Sequence, residues 1–170
     1  MASSAMSQLL EKTLWGDIDV LLVDMPPGTG DIQLTLSQRA TLSGAVIVTT
    51  PQDIALLDAR KGIEMFQKVE VPVLGLIENM AAHVCTACGQ VEPLFGEAGG
   101  QHLAEQYDVP LLGQIPLDRA IREHSDQGHP IVLAEPEGPI AAVYQEAALT
   151  LMAALGHQQP APAPIISMGD

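Results

Sequence analysis

A chain of 170 residues is long enough for one domain with a sizeable core, and 21 acidic residues against 7 basic ones give it a formal net charge of −14. The bases are scattered (Lys12, Arg39, Arg60, Lys61, Lys68, Arg119, Arg122) and aromatics make up only 3%. That argues against nucleic acids and anionic membranes, which need clustered cations, and against base-stacking platforms. Mean hydropathy is +0.21, yet no apolar run approaches the roughly 20 residues of a spanning helix. The N-terminus lacks the basic start and apolar core of a signal peptide. The expectation is a cytoplasmic protein, and with two cysteines it has no disulfide framework.

Met1–Trp15 reads as an amphipathic helix, with Met6, Leu9, Leu10 and Leu14 on one face and Ser3 or Ser4 as its cap. Val20–Asp24 follows, a short β-branched run that reads as a strand buried on both faces. Pro26 and Pro27 stop it, and a helix is predicted over Ile32–Leu42, with Asp31 as its cap. Ala45–Thr49 is the second strand, and Pro51 with nearby acids starts a helix over Ile54–Val69. Val73–Glu78, Gly99–Tyr107 and Leu111–Ile115 read as strand, helix and strand, and Asp118 as the cap of Arg119–Ser125. Ser125–Gly138 reads as loop or a short extended piece, and Pro139–Leu155 as the last helix. The alternation of strand and helix implies a parallel sheet with right-handed crossovers. Residues 1–157 form one α/β domain, and residues 158–170 a Pro-rich flexible tail.

Chemistry concentrates first at Asp24–Gln38, DMPPGTGDIQLTLSQ. Asp24 ends a predicted parallel strand, where open α/β sheets hold their ligands. Gly28 and Gly30 permit positive φ and let backbone N–H groups approach an anion. The segment resembles the Walker B and switch II signature of the Mrp/ApbC iron–sulfur cluster carriers, a branch of the MinD- and ParA-like P-loop ATPases. The resemblance implies a MinD-like (SIMIBI) three-layer α/β/α fold, with Asp24 reaching the Mg²⁺ of bound ATP through water and Gly28 near the nucleotide. It makes Asn79 the reader of the adenine edge, although an Asx turn would explain Asn79 equally well. It places the backbone around Pro116 in the base pocket.

The sequence contains no G-x-x-x-x-G-K-S/T phosphate loop. In the family that loop lies on a central strand beside the Walker B strand, so its absence would leave a gap in the sheet with apolar surface exposed. A shortened chain, a missing half on another polypeptide and a degenerate protein that never binds ATP all fit, and the first is the reading adopted. No ATPase activity is expected from this chain alone.

The second concentration is Cys85-Thr86-Ala87-Cys88-Gly89. A C-x-x-C turn puts two thiolates on one side of a knuckle, and Gly89 lets backbone N–H groups turn toward sulfur. Two thiolates cannot close a four-ligand site, so a second copy must supply the rest and a homodimer is predicted. A thioredoxin-like redox pair, half of a shared zinc site and two inert cysteines remain alternatives. His83 is a third ligand or, more simply, a solvated loop residue. Gly96–Gly100 resembles a phosphate loop in composition only. The resemblance implies a labile 4Fe–4S cluster held between two subunits by Cys85 and Cys88 and passed to apo-proteins, with ATP and Mg²⁺ as cofactors. The competing function is a dimerising adaptor, zinc-bearing or metal-free, that keeps the ATPase half-fold. A MinD-like positioning ATPase fits less well, because the C-terminus PAPAPIISMGD is no amphipathic membrane anchor.

Overall fold

The computed structural model describes residues 8–10, 12–26, 28, 30–85 and 87–157. Its elements are α1 (Asp31–Arg39), β1 (Ala45–Thr49), α2 (Asp53–Lys68), β2 (Val73–Asn79), β3 (His83–Val84), β4 (Val91–Glu92), α3 (Gly99–Tyr107), β5 (Leu111–Ile115), α4 (Arg119–Asp126), α5 (Ile131–Ala134) and α6 (Pro139–His157). Residues 8–10 and 12 are also helical, while residues 1–7 and 11 of the expected first helix and the Pro-rich tail lie outside the described residues.

Strands β1, β2 and β5 form a parallel sheet with β2 in the middle. Ile47 pairs with Leu76, and Leu76 with Leu111, so their side chains point to one face. On that face α2 and α3 bury Ala59, Ile63, Leu103 and Ala104 against Ile47 and Leu76. Helix α6 packs on β5 and β2 from the other side: a Cβ built on Gly113 would lie 3.4 Å from Ala147 and 3.7 Å from Val143. The result is the expected α/β/α layering, with the core on the α2–α3 side.

Local chemistry accounts for the boundaries. Asp53 opens α2 and Lys68 closes it, each complementing the helix dipole. Asp118 caps α4 by accepting the Ala120 N–H at 2.7 Å, as the sequence predicts. Helix α1 stops at Arg39 rather than Leu42 because Ala40 is extended, at φ −122°, ahead of Thr41, Ser43 and Gly44, which are poor helix formers. Its cap position is occupied by Gly30 and not, as expected, by Asp31. The predicted loop 125–138 contains the short helix α5, whose Ile131 is buried. In α6, the stretch Pro139–Gly156 is long and apolar enough by composition to cross a membrane, more so than the sequence reading anticipates.

The strand expected over Val20–Asp24 does not form. The run is irregular, and its apolar residues are exposed, Leu22 by 80%. A parallel strand is held by the ladder of a neighbour, and this run pairs with no strand among the described residues. Val48 on β1 is likewise 62% exposed. Two substitutions separate the core from this run. Leu76→Ala, at a fully buried site, should cost about 2–5 kcal/mol in urea unfolding. Leu22→Ser should stay within about 0.5 kcal/mol of the parent. A large loss at Leu22 would mean that the run is packed in solution.

Candidate metal centre

The two cysteines sit at the tip of a hairpin that the sequence reading missed, since two-residue strands carry no period. His83 pairs with Glu92 and Val84 with Val91, antiparallel. The tip is closed by the Cys85 N–H to the Gln90 carbonyl and the Gly89 N–H to the Cys85 carbonyl, both 2.8 Å. Gly89 lies at φ +73° with open space where a Cβ would be, so conformation and not crowding demands glycine there.

Both cysteines are free thiols, Cys85 half-buried and Cys88 exposed. Hydrogen bonds from the backbone N–H of Ala87 and then of Cys88 hold the Cys85 thiol below its usual range, helped by the Cys88 thiol and opposed by slight burial. Donors aimed at sulfur favour the thiolate, which is both the nucleophile and the metal ligand. Among the described residues no group of three or more His, Cys, Asp or Glu side chains could hold a metal ion. The hairpin offers half of a tetrahedral donor set. His83, weighed as a third ligand or a solvated loop residue, is half-buried, with Nδ1 3.2 Å from the Leu117 carbonyl.

Asn79 ends β2 beside Ile115 of β5, which brings Asn79 and Pro116 to the same edge of the sheet. The Asn79 side-chain oxygen accepts the Met80 N–H at 3.0 Å, and Met80 adopts φ +56°. That bond reaches the next residue, whereas the Asx turn weighed for Asn79 bonds the backbone two residues on. Pro116 lines a hollow of about 280 Å³ whose other walls include Ala82, Val84 and Pro93 at the hairpin and Glu78 and Gln114 on the sheet. Asp24 is exposed on the irregular segment, and Gly28 lies at φ +99°. No hydrogen bond or ion pair among the described residues joins that segment to the hairpin.

Two side chains matter here that sequence reasoning passed over. Gln33, almost fully buried, donates its amide to the Pro26 carbonyl at 2.9 Å and to the Gly28 carbonyl at 2.7 Å, closing the switch-like turn from the helix behind it. Glu78, 1% exposed, accepts the Gly100 N–H at the start of α3 and the Gln114 amide at 2.9 Å. A buried carboxylate needs such donors, and a helix N-terminus is a favourable place for one. Gly100 must be glycine, because a Cβ there would meet the Glu78 carboxylate at 2.7 Å. A lone acid closing the apolar run Val73–Ile77 is the signal that could have flagged Glu78.

Comparison with known proteins identifies the family of the chain. A family model described as "ParA: NUBPL iron-transfer P-loop NTPase" matches residues 1–152. The iron-sulfur cluster carrier protein of Pseudomonas fragi is 59% identical over 88% of this chain and 52% of its own length. The carrier of Salmonella typhimurium is 60% identical over 87% of the chain and 40% of its own length. Mouse iron-sulfur cluster transfer protein NUBPL is 52% identical over 85% and 45%. The chain thus spans about half the length of the curated relatives it matches. Among solved structures, a nucleotide-binding protein from Archaeoglobus fulgidus in complex with ADP superposes with a TM-score of 0.67 at 40% identity, over 75% of this chain and 52% of that one. The cell division ATPase MinD of Pyrococcus furiosus gives 0.62 at 25% identity, over 89% and 56%. The chain belongs to the ParA/NUBPL family of iron-transfer P-loop NTPases, the Mrp/ApbC group.

Proposed function

We propose that this protein carries an iron–sulfur cluster on Cys85 and Cys88 and hands it to apo-proteins in the cytoplasm. The observation that carries the reading is the hairpin tip, where two free thiols share one knuckle and backbone N–H groups stabilise the Cys85 thiolate. Relatives named as cluster carriers support it. Two thiolates per chain leave two of the four corners of a 4Fe–4S cube open, so a second copy completes the set and the cluster bridges a homodimer. A cube held by two solvent-accessible thiolates from each side is readily given up, which suits a carrier.

Nucleotide enters this reading through the family's whole fold. Asp24 would sense Mg²⁺–ATP, the Gly28 backbone would approach the phosphates, and Asn79 with the Pro116 backbone would line the base. These roles need a phosphate-binding loop, which the 170 residues do not contain. The chain by itself is therefore assigned no ATP hydrolysis.

Anaerobic reconstitution with iron and sulfide, followed by gel filtration and assay of iron and acid-labile sulfide, tests the cluster assignment. Wild-type protein should retain about two iron atoms per chain, and Cys85→Ala should fall to background. Unchanged iron in Cys85→Ala contradicts the assignment, and zinc without sulfide would favour the dimerising adaptor. The thiolate argument has its own test in the metal-free protein. Because the Cys85 pKa is depressed, its thiolate persists below the pH at which an ordinary thiol is protonated and is lost only as pH falls through the lowered value. Peptide-resolved alkylation should give Cys85 a midpoint below the ordinary 9.0; a midpoint at or above 9.0 would show that the N–H groups do not act on sulfur.

A further inference from the structure

The cysteine hairpin is attached to the body through a short run of contacts. Strands β3 and β4 pair with each other and not with the three-stranded sheet. At the hairpin's root, the Ala81 N–H bonds the Ile115 carbonyl at 3.0 Å, and the Leu117 N–H bonds the Ala82 carbonyl at 2.9 Å. One residue further on, a side chain takes over: His83 Nδ1 stands 3.2 Å from the Leu117 carbonyl. A carbonyl can only accept, so Nδ1 carries the proton and the tautomer is fixed. Among the described residues this is the hairpin's one side-chain hydrogen bond to the rest of the molecule. It lies two residues from Cys85, and its acceptor is the residue after Pro116.

We infer that His83 is a positioning residue: it fastens the cysteine hairpin to the 115–117 segment and so fixes where the Cys85 and Cys88 sulfurs stand relative to the carboxyl end of β5. The significance for cluster handling rests on the carrier reading; the tether itself does not. With His83 in place, the root of the hairpin is zipped by three successive bonds, and its tip cannot swing independently of Pro116 and Leu117. Without the imidazole donor two main-chain bonds remain and the tip becomes free to rotate about them.

The test uses the metal-free chain first. Hydrogen exchange resolved to the 83–92 peptide is compared in wild type, His83→Leu and His83→Asn. The Asn side-chain N–H₂ stands where imidazole Nδ1 stands and can donate to the same carbonyl. Exchange at the Cys85 and Gly89 amides should quicken about two- to tenfold in His83→Leu, the range expected for one hydrogen bond. Amides of β2 should not change, and His83→Asn should behave as wild type. Unchanged exchange in His83→Leu, or equal acceleration in both variants, overturns the inference; so does acceleration that extends equally to β2, which would mark a general loss of stability. The second arm follows iron release to a chelator from reconstituted protein. Faster release from His83→Leu, restored by His83→Asn, is the expected result. Release as fast from His83→Asn as from His83→Leu would mean that His83 binds metal, and overturns the positioning role. Should wild type take up no cluster, the carrier reading fails while the exchange result still decides the tether.

Discussion

Strand β2 is hydrogen-bonded on both edges, to β1 and to β5, and the placement of every candidate group except the Asp24 turn follows from that double pairing. Leu76 at its middle is fully buried and joins the helices α2 and α3 to the sheet. Two residues on, the same face turns from apolar to polar: Glu78 reaches the start of α3 and the Gln114 side chain of β5. Asn79 closes the strand, and the chain then leaves the sheet through Ala81 and Ala82, still bonded to Ile115 and Leu117, before entering the cysteine hairpin. The hairpin is thus an extension of the central strand. Its position is inherited from the register of β2 with β5, where Asn79 stands opposite Ile115.

The chemistry of the tip follows from local backbone. Gly89 takes a positive φ, the Cys85–Gln90 and Gly89–Cys85 bonds close the loop, and the N–H groups of Ala87 and Cys88 turn toward the Cys85 sulfur. The turn lowers the cost of a bare thiolate in the absence of metal. The same turn exposes Cys88 and leaves Val84 and Val91, paired across the hairpin, open to solvent. An incomplete donor set beside exposed apolar side chains is what a site completed by a second copy would present.

The sequence made much of this legible and the rest not, for identifiable reasons. The runs 45–49, 73–78 and 111–115 were readable because each is a short, mostly apolar stretch set between helical patterns. The run 20–24 carries the same signal but forms no strand here, since an apolar run encodes burial without naming the neighbour that provides it. C-x-x-C-G was legible as a knuckle; the hairpin under it was not, because β3 and β4 are two residues each. Asp118 was readable as a cap, whereas Asp31 was misread because Gly30 already takes the cap position. Gln33 and Glu78 escaped because only the fold brings their partners near: backbone carbonyls for Gln33, and the Gly100 N–H and the Gln114 side-chain amide for Glu78. At the start of α3 the Gly100 N–H is taken by the protein's own Glu78 side chain.

The account turns on a cluster shared between two hairpins, and native mass spectrometry of the anaerobically reconstituted chain addresses that claim most directly. The predicted spectrum has metal-free protein as monomer and a distinct dimer carrying the mass of one 4Fe–4S cluster per two chains. A cluster retained on a single chain, or a dimer that carries no iron and sulfide after reconstitution, would contradict it.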